Sequence, residues 1–145
     1  MSVSADRAVD DEIDPYNPAM VSGFVAVGFG AALGAWMRWG LSAWLNPRAP
    51  QFPLGTLASN LIGGYVVGFA VAFFAARQDL SPDMRLFAIT GFLGGLTTFS
   101  TFSAEVTQLL LDGEYWTGGS LALVHLGGSL ALTVAGIATF RVLAA

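Results

Sequence analysis

Five hydroxyl side chains, Thr97, Thr98, Ser100, Thr101 and Ser103, stand within GFLGGLTTFSTFS (residues 91–103), a stretch with three phenylalanines, three glycines and no charge. Hydroxyls and glycines in a segment apolar enough to cross a bilayer are costly unless they face protein, water or an ion. The segment therefore reads as the working part of a solute pathway. Gly94 and Gly95, followed by the β-branched Thr97 and Thr98, make a poor helix interior, at up to about 1 kcal/mol per glycine relative to alanine. A local break is expected there. It would free backbone carbonyls, which inside a membrane must find donors or a cation. The competing reading has the hydroxyls bonding back to carbonyls one turn earlier.

Phe99 and Phe102 are three apart and share one face of any helix that resumes after the break. An aromatic ring has a negative face and a positive edge. Ring edges can thus line an anion path without a full charge that would hold the anion too tightly; plain packing is the alternative for both. Asn60 can donate to an anion or bridge helices, and Thr56 lies four residues earlier on the same face. His125 and Ser129, also four apart, form another polar stripe at helical spacing. Arg38 either snorkels to the interface or holds positive potential at a pore mouth. Glu105 follows the hydroxyl cluster and can pair with an arginine, cap the route or snorkel.

The elements that must position these groups follow from composition. The chain has 145 residues, 54% hydrophobic and 11% charged, with a mean hydropathy of +0.65, too apolar for a soluble domain of this size. Residues 21–45, 54–76, 86–104 and 115–140 carry no charge apart from Arg38. Each is long enough to cross about 30 Å of hydrocarbon. The expected fold is an all-α membrane protein with four transmembrane helices, the third broken near its middle. The four fill nearly the whole chain and leave no soluble catalytic domain.

Other chemistry finds little support. There is no cysteine, so disulfides, thiolate metal sites and thiol catalysis drop out. One histidine cannot build a metal site, and no serine–histidine–aspartate set can be assembled. Gly28–Gly34 (G-x-G-x-x-x-G) follows no strand and is no dinucleotide fingerprint. With a formal net charge of −4, the chain offers nothing to nucleic acid. It does not read as an enzyme.

Residues 1–20 hold Asp6, Asp10, Asp11, Glu12 and Asp14, half of the 10 acidic residues, with Pro15 and Pro18. They are expected to form a disordered acidic tail before a membrane domain at 21–145. Short loops make neighbouring helices antiparallel. Arg7, Arg77, Arg85 and Arg141 then share one side against Arg48 on the other, which places the termini in the cytoplasm without forbidding insertion in both orientations. Gly30 and Gly34, and Gly64 and Gly68, form two G-x-x-x-G motifs that let helix backbones approach. Packing against a second copy is expected.

Three motifs resemble the small fluoride channels of the Fluc (CrcB) family: GFGAALGAWMRW in the first span, FPLGTLASNLIGGYVVG opening the second and GFLGGLTTFSTFSAE in the third. The resemblance covers essentially the whole chain after the acidic tail. It implies passive export of fluoride across the cell membrane by a dual-topology homodimer, two antiparallel copies in the lipid bilayer with two fluoride pathways along their interfaces. Pairing with an oppositely oriented paralogue is the other possibility. The resemblance further implies a structural Na+ at the dimer centre, held by backbone carbonyls that map to Gly94 and Thr97. Pathway residues would be Phe99, Phe102, Asn60, Ser100, Thr101 and Thr56, with Arg38 and Glu105 at corresponding family positions. A hydroxyl track in the fourth helix falls on His125 and Ser129; His125 departs from it and would bring a titratable ring to the path. Two rivals are a small multidrug/proton antiporter, which would need a mid-membrane carboxylate that the first span lacks, and a non-transporting scaffold, which leaves the hydroxyls unexplained.

Overall fold

The computed structural model describes residues 18–49 and 52–145; of the expected tail at residues 1–20, residues 1–17 lie outside them and 18–20 are helical. Helix α1, Pro18–Leu45, begins three residues before the apolar window, with Pro18 in the first turn where its missing N–H has no cost. It ends in a 3₁₀ turn, Asn46–Arg48, containing Pro47. There Arg48 lies 4.6 Å over the Trp44 ring and donates Nη1 to the Trp44 carbonyl. Asn46 Oδ1 accepts from the Gly55 amide at 2.8 Å. This caps α2, Leu54–Ala76, whose own N-cap, Pro53, makes no side-chain capping bond.

The third span, Pro82–Leu111, is four segments in sequence. Helix α3, Pro82–Arg85, is capped by Ser81 Oγ, which accepts from the Asp83 amide. A π-helix follows over Leu86–Leu93, then one turn of α-helix, α4, at Gly94–Leu96. Thr97 (φ −85°, ψ 154°) and Thr98 (φ −152°, ψ 118°) are extended. Helix α5, Phe99–Leu111, resumes after them. The expected break is present, but the glycine pair stays helical and the chain opens three residues later. Gly95 has another use: the α1 backbone packs on it at Ala31, leaving no room for a Cβ. Gly113, at φ +82°, turns the chain into α6, Tyr115–Leu143.

Four segments of the described residues are thus long and apolar enough to span a membrane. The protein is an all-α multi-pass membrane protein. Its helices form two close pairs, α2 on α6 and α1 on the π-helix and α4. Both G-x-x-x-G motifs serve these contacts inside the chain. A Cβ on Gly30 or Gly34 would overlap the backbone of the third span, and one on Gly68 would overlap the Thr133 carbonyl. Phe24, Phe29, Trp36 and Trp39 point outward from α1, as suits side chains bathed in lipid, and Tyr115 and Trp116 are exposed at the start of α6.

Candidate functional site

At the break, two side chains from other helices supply the bonds that a continuous helix would have made. Asn60 of α2 accepts from the Thr98 amide through Oδ1 at 2.8 Å and donates Nδ2 to the Thr98 carbonyl at 3.0 Å. Arg38 of α1 donates Nε to the Gly95 carbonyl at 3.0 Å. In an unbroken α-helix that carbonyl would accept from the amide of residue 99. Arg38 therefore does not snorkel away, and it meets no carboxylate among the described residues: it caps the broken end of α4.

Thr98 is also the N-cap of α5. Its Oγ1 accepts from the Thr101 amide at 3.2 Å and lies 3.0 Å from Thr101 Oγ1 and 3.3 Å from Ser100 Oγ. Thr97 and Ser103 bond back to the Leu93 and Phe99 carbonyls, each at 2.8 Å. The five hydroxyls thus divide: two turn back on their own helix and three form a cluster at the helix start. That end carries the positive pole of the α5 dipole.

The same amide fixes the state of His125. Because Asn60 Oδ1 must accept from Thr98, Nδ2 is the nitrogen that faces His125 Nδ1, 3.2 Å away. Nδ1 is then the acceptor, and Nε2 carries the hydrogen of the neutral ring. His125 is 3% exposed, and Nε2 is buried with no partner among the described residues. Both Asn60 amide hydrogens are engaged within the chain, so the donor left over is on the imidazole. Phe102 stacks on that ring at 4.6 Å, and Phe99 lies 5.5 Å from Phe102.

These groups border one groove of about 440 Å³ between α2, the broken span and α6. Of the residues singled out from sequence, Asn60, Gly64, Gly94, Thr97, Thr98, Phe99, Phe102, His125 and Ser129 line it. Ser100, Thr101, Thr56, Glu105 and Arg38 do not. Thr56, 2% exposed, donates to Glu105 Oε1 at 2.6 Å, one turn from Asn60, and Glu105 Oε2 is buried without a partner among the described residues. Glu105 thus meets a hydroxyl rather than an arginine. Thr133 lines the groove as well and escaped the sequence reading, although it continues the four-residue spacing of His125 and Ser129. Its hydroxyl donates toward the carbonyls of Gly64 (3.1 Å) and Ser129 (2.8 Å).

An anion and a cation would meet different groups of this one groove. For the anion it offers the Ser129 hydroxyl, which bonds to nothing else among the described residues, and phenyl edges, with His125, its Nε2 buried, also in the lining. For a cation, the carbonyls of Gly94 and Thr97 are the relevant oxygens. The amides that would meet them in a continuous helix, those of Thr98 and Thr101, are held by Asn60 Oδ1 and Thr98 Oγ1 instead. No donor reaches either carbonyl among the described residues. Uncharged oxygen ligands fit a hard ion, and no group of three histidine, cysteine or carboxylate side chains forms a rival site among the described residues.

A four-span membrane protein with an interrupted third helix and a mixed polar and aromatic groove is the class that fold and site define. The family described as CrcB-like protein, Camphor Resistance (CrcB), matches residues 25–137. The chain belongs to this family. It is 60% identical over 122 residues to the fluoride-specific ion channel FluC of Cupriavidus necator, covering 84% of this chain and 97% of that one. The protein of the same name from Thiobacillus denitrificans is 55% identical over 123 residues (85% and 99%). That from Pseudomonas putida is 57% identical over 122 (83% and 95%).

Proposed function

We propose that this chain is a fluoride-selective ion channel that lets F− leave the cytoplasm passively and so relieves fluoride toxicity. The observation that carries the reading is the groove, where an imidazole N–H and a hydroxyl, both without a partner among the described residues, stand beside two phenylalanine rings at the start of α5. Fluoride is small and strongly hydrated, so a path must replace its water with several donors at once. The names of the relatives support the same substrate.

The conducting unit is an antiparallel homodimer in the bacterial inner membrane, with one pathway along each groove. The exposed groove supports this, because a single chain leaves the path open along one side. Asn60, Phe99, Phe102, His125 and Ser129 line the path, with Thr133 continuing it. Ser100, Thr101 and Thr56 supply hydroxyls behind that lining, and Arg38 and Glu105 act through the backbone and Thr56. A Na+ at the dimer centre would be held by the Gly94 and Thr97 carbonyls of both copies and would neutralise the oxygens of the break. Two carbonyls from one chain leave a hard cation undersupplied, so the site needs the second copy.

Fluoride release from proteoliposomes, read with a fluoride electrode with and without a proton gradient, tests this. The expected result is release in both conditions, proportional to the fluoride gradient. Release that requires the proton gradient points to an antiporter, and no release above empty vesicles to a scaffold; either result overturns the reading. Crosslinking of the chain expressed alone separates a self-pairing dimer from one that needs a paralogue.

A further inference from the structure

The interruption leaves the carbonyls of residues 94–97 without their helical amides, yet those carbonyls do not share one fate. The Gly95 oxygen receives Arg38 Nε at 3.0 Å, while no donor reaches Gly94, Leu96 or Thr97 among the described residues. Arg38 is placed for this by α1. Ala31, two turns earlier on the same face, abuts the Gly95 backbone, and Gly34 brings α1 against Phe92 and Leu96. The guanidinium lies just beyond, where the Gly95 carbonyl points. It is half-buried, permanently charged and without an ion-pair partner among the described residues.

We infer that Arg38 is a positioning residue for the central cation: by occupying the Gly95 carbonyl it withdraws that oxygen from the ligand set and fixes the direction of the peptide planes beside it, and so of the Gly94 and Thr97 carbonyls. This rests on the Na+ reading given above. A guanidinium suits the task because Nε donates side-on from a rigid plane and cannot lose its proton at any working pH. Without it, Gly95 would present a further bare oxygen, and the peptide planes on either side would be free to turn. The cation site would lose its geometry before the helices lost their packing, since α1 is held to the third span by glycine contacts independent of Arg38.

The test is thermal unfolding of the detergent-solubilised dimer, titrated with NaCl against N-methylglucamine chloride at constant ionic strength. The wild type should gain stability with Na+. Arg38→Gln should need at least tenfold more Na+ for half of that gain, and Arg38→Lys, which keeps a cation and donors on a different geometry, should fall between. Equal midpoints in all three proteins would overturn the inference while leaving the cation site standing. A wild type indifferent to Na+ would remove the cation site and this inference with it. Should the variants fail to give a monodisperse dimer, the ¹⁵N-labelled arginine Nε signals of the wild type decide. The expected result is one slowly exchanging Nε–H that shifts on Na+ addition, and six arginine signals with none sensitive to Na+ would contradict it.

Discussion

Asn60 and Thr98 exchange two hydrogen bonds across the helix interruption, amide to side-chain oxygen at 2.8 Å and side-chain nitrogen to carbonyl at 3.0 Å. A carboxamide is the one neutral side chain that can mimic a peptide group in this way, offering a donor and an acceptor in one plane. The second amide hydrogen then faces His125. A single side chain on α2 thereby joins the break to α6 and dictates which imidazole nitrogen is the donor.

Asn60→Asp keeps the acceptor and loses the donors, placing carboxylate oxygen against both the Thr98 carbonyl and His125 Nδ1. The expected outcome is loss of fluoride efflux by about 100-fold or more. The accompanying loss of stability is about 1–3 kcal/mol, the cost of leaving buried polar groups unmatched. Efflux by electrode and unfolding of the purified dimer check the two parts separately.

Replacing His125 separates packing from donation. His125→Leu fills a similar space and removes the Nε2–H, so it should lower fluoride flux by tenfold or more while the dimer still assembles. His125→Gln restores an N–H and should recover part of the flux. Equal flux in both variants would show that the ring is only filler.

The glycine faces predict a different kind of failure. Gly68→Val or Gly34→Val sets a side chain into the backbone of the opposing helix, and overpacking of that sort costs about 1–3 kcal/mol or more. Both variants should give poor yields of monodisperse dimer. Gly119→Val and Gly127→Val, where a Cβ meets nothing within 4 Å in the chain, should be accepted by the isolated fold. Size-exclusion profiles after extraction measure this.

Apolar windows and glycine spacing made the four spans and their close pairing legible from sequence, because membrane crossing depends on length and lack of charge. The position of the break was legible to within three residues, since glycine and β-branched residues weaken a helix without saying where it opens. What decides that is tertiary: the Asn60 amide competes for the Thr98 N–H, and Arg38 for the Gly95 carbonyl. No sequence spacing links residues 38 and 95. The His125 tautomer was hidden for the same reason, being set through two bonds relayed from another helix. Thr133 was legible at the His125–Ser129 spacing and was missed because the stripe was followed for only one turn.

The central claim is that fluoride passes along the groove beside the phenylalanine rings, and Phe99 is the place to test it. Phe99 is 79% exposed in the single chain, so Phe99→Ile leaves the internal packing intact. Fluoride efflux from proteoliposomes bearing equal amounts of wild-type and Phe99→Ile dimer, read by electrode, is the measurement. The account predicts that the variant inserts and dimerises as the wild type does but releases fluoride at least 100-fold more slowly. Undiminished release through Phe99→Ile would contradict it.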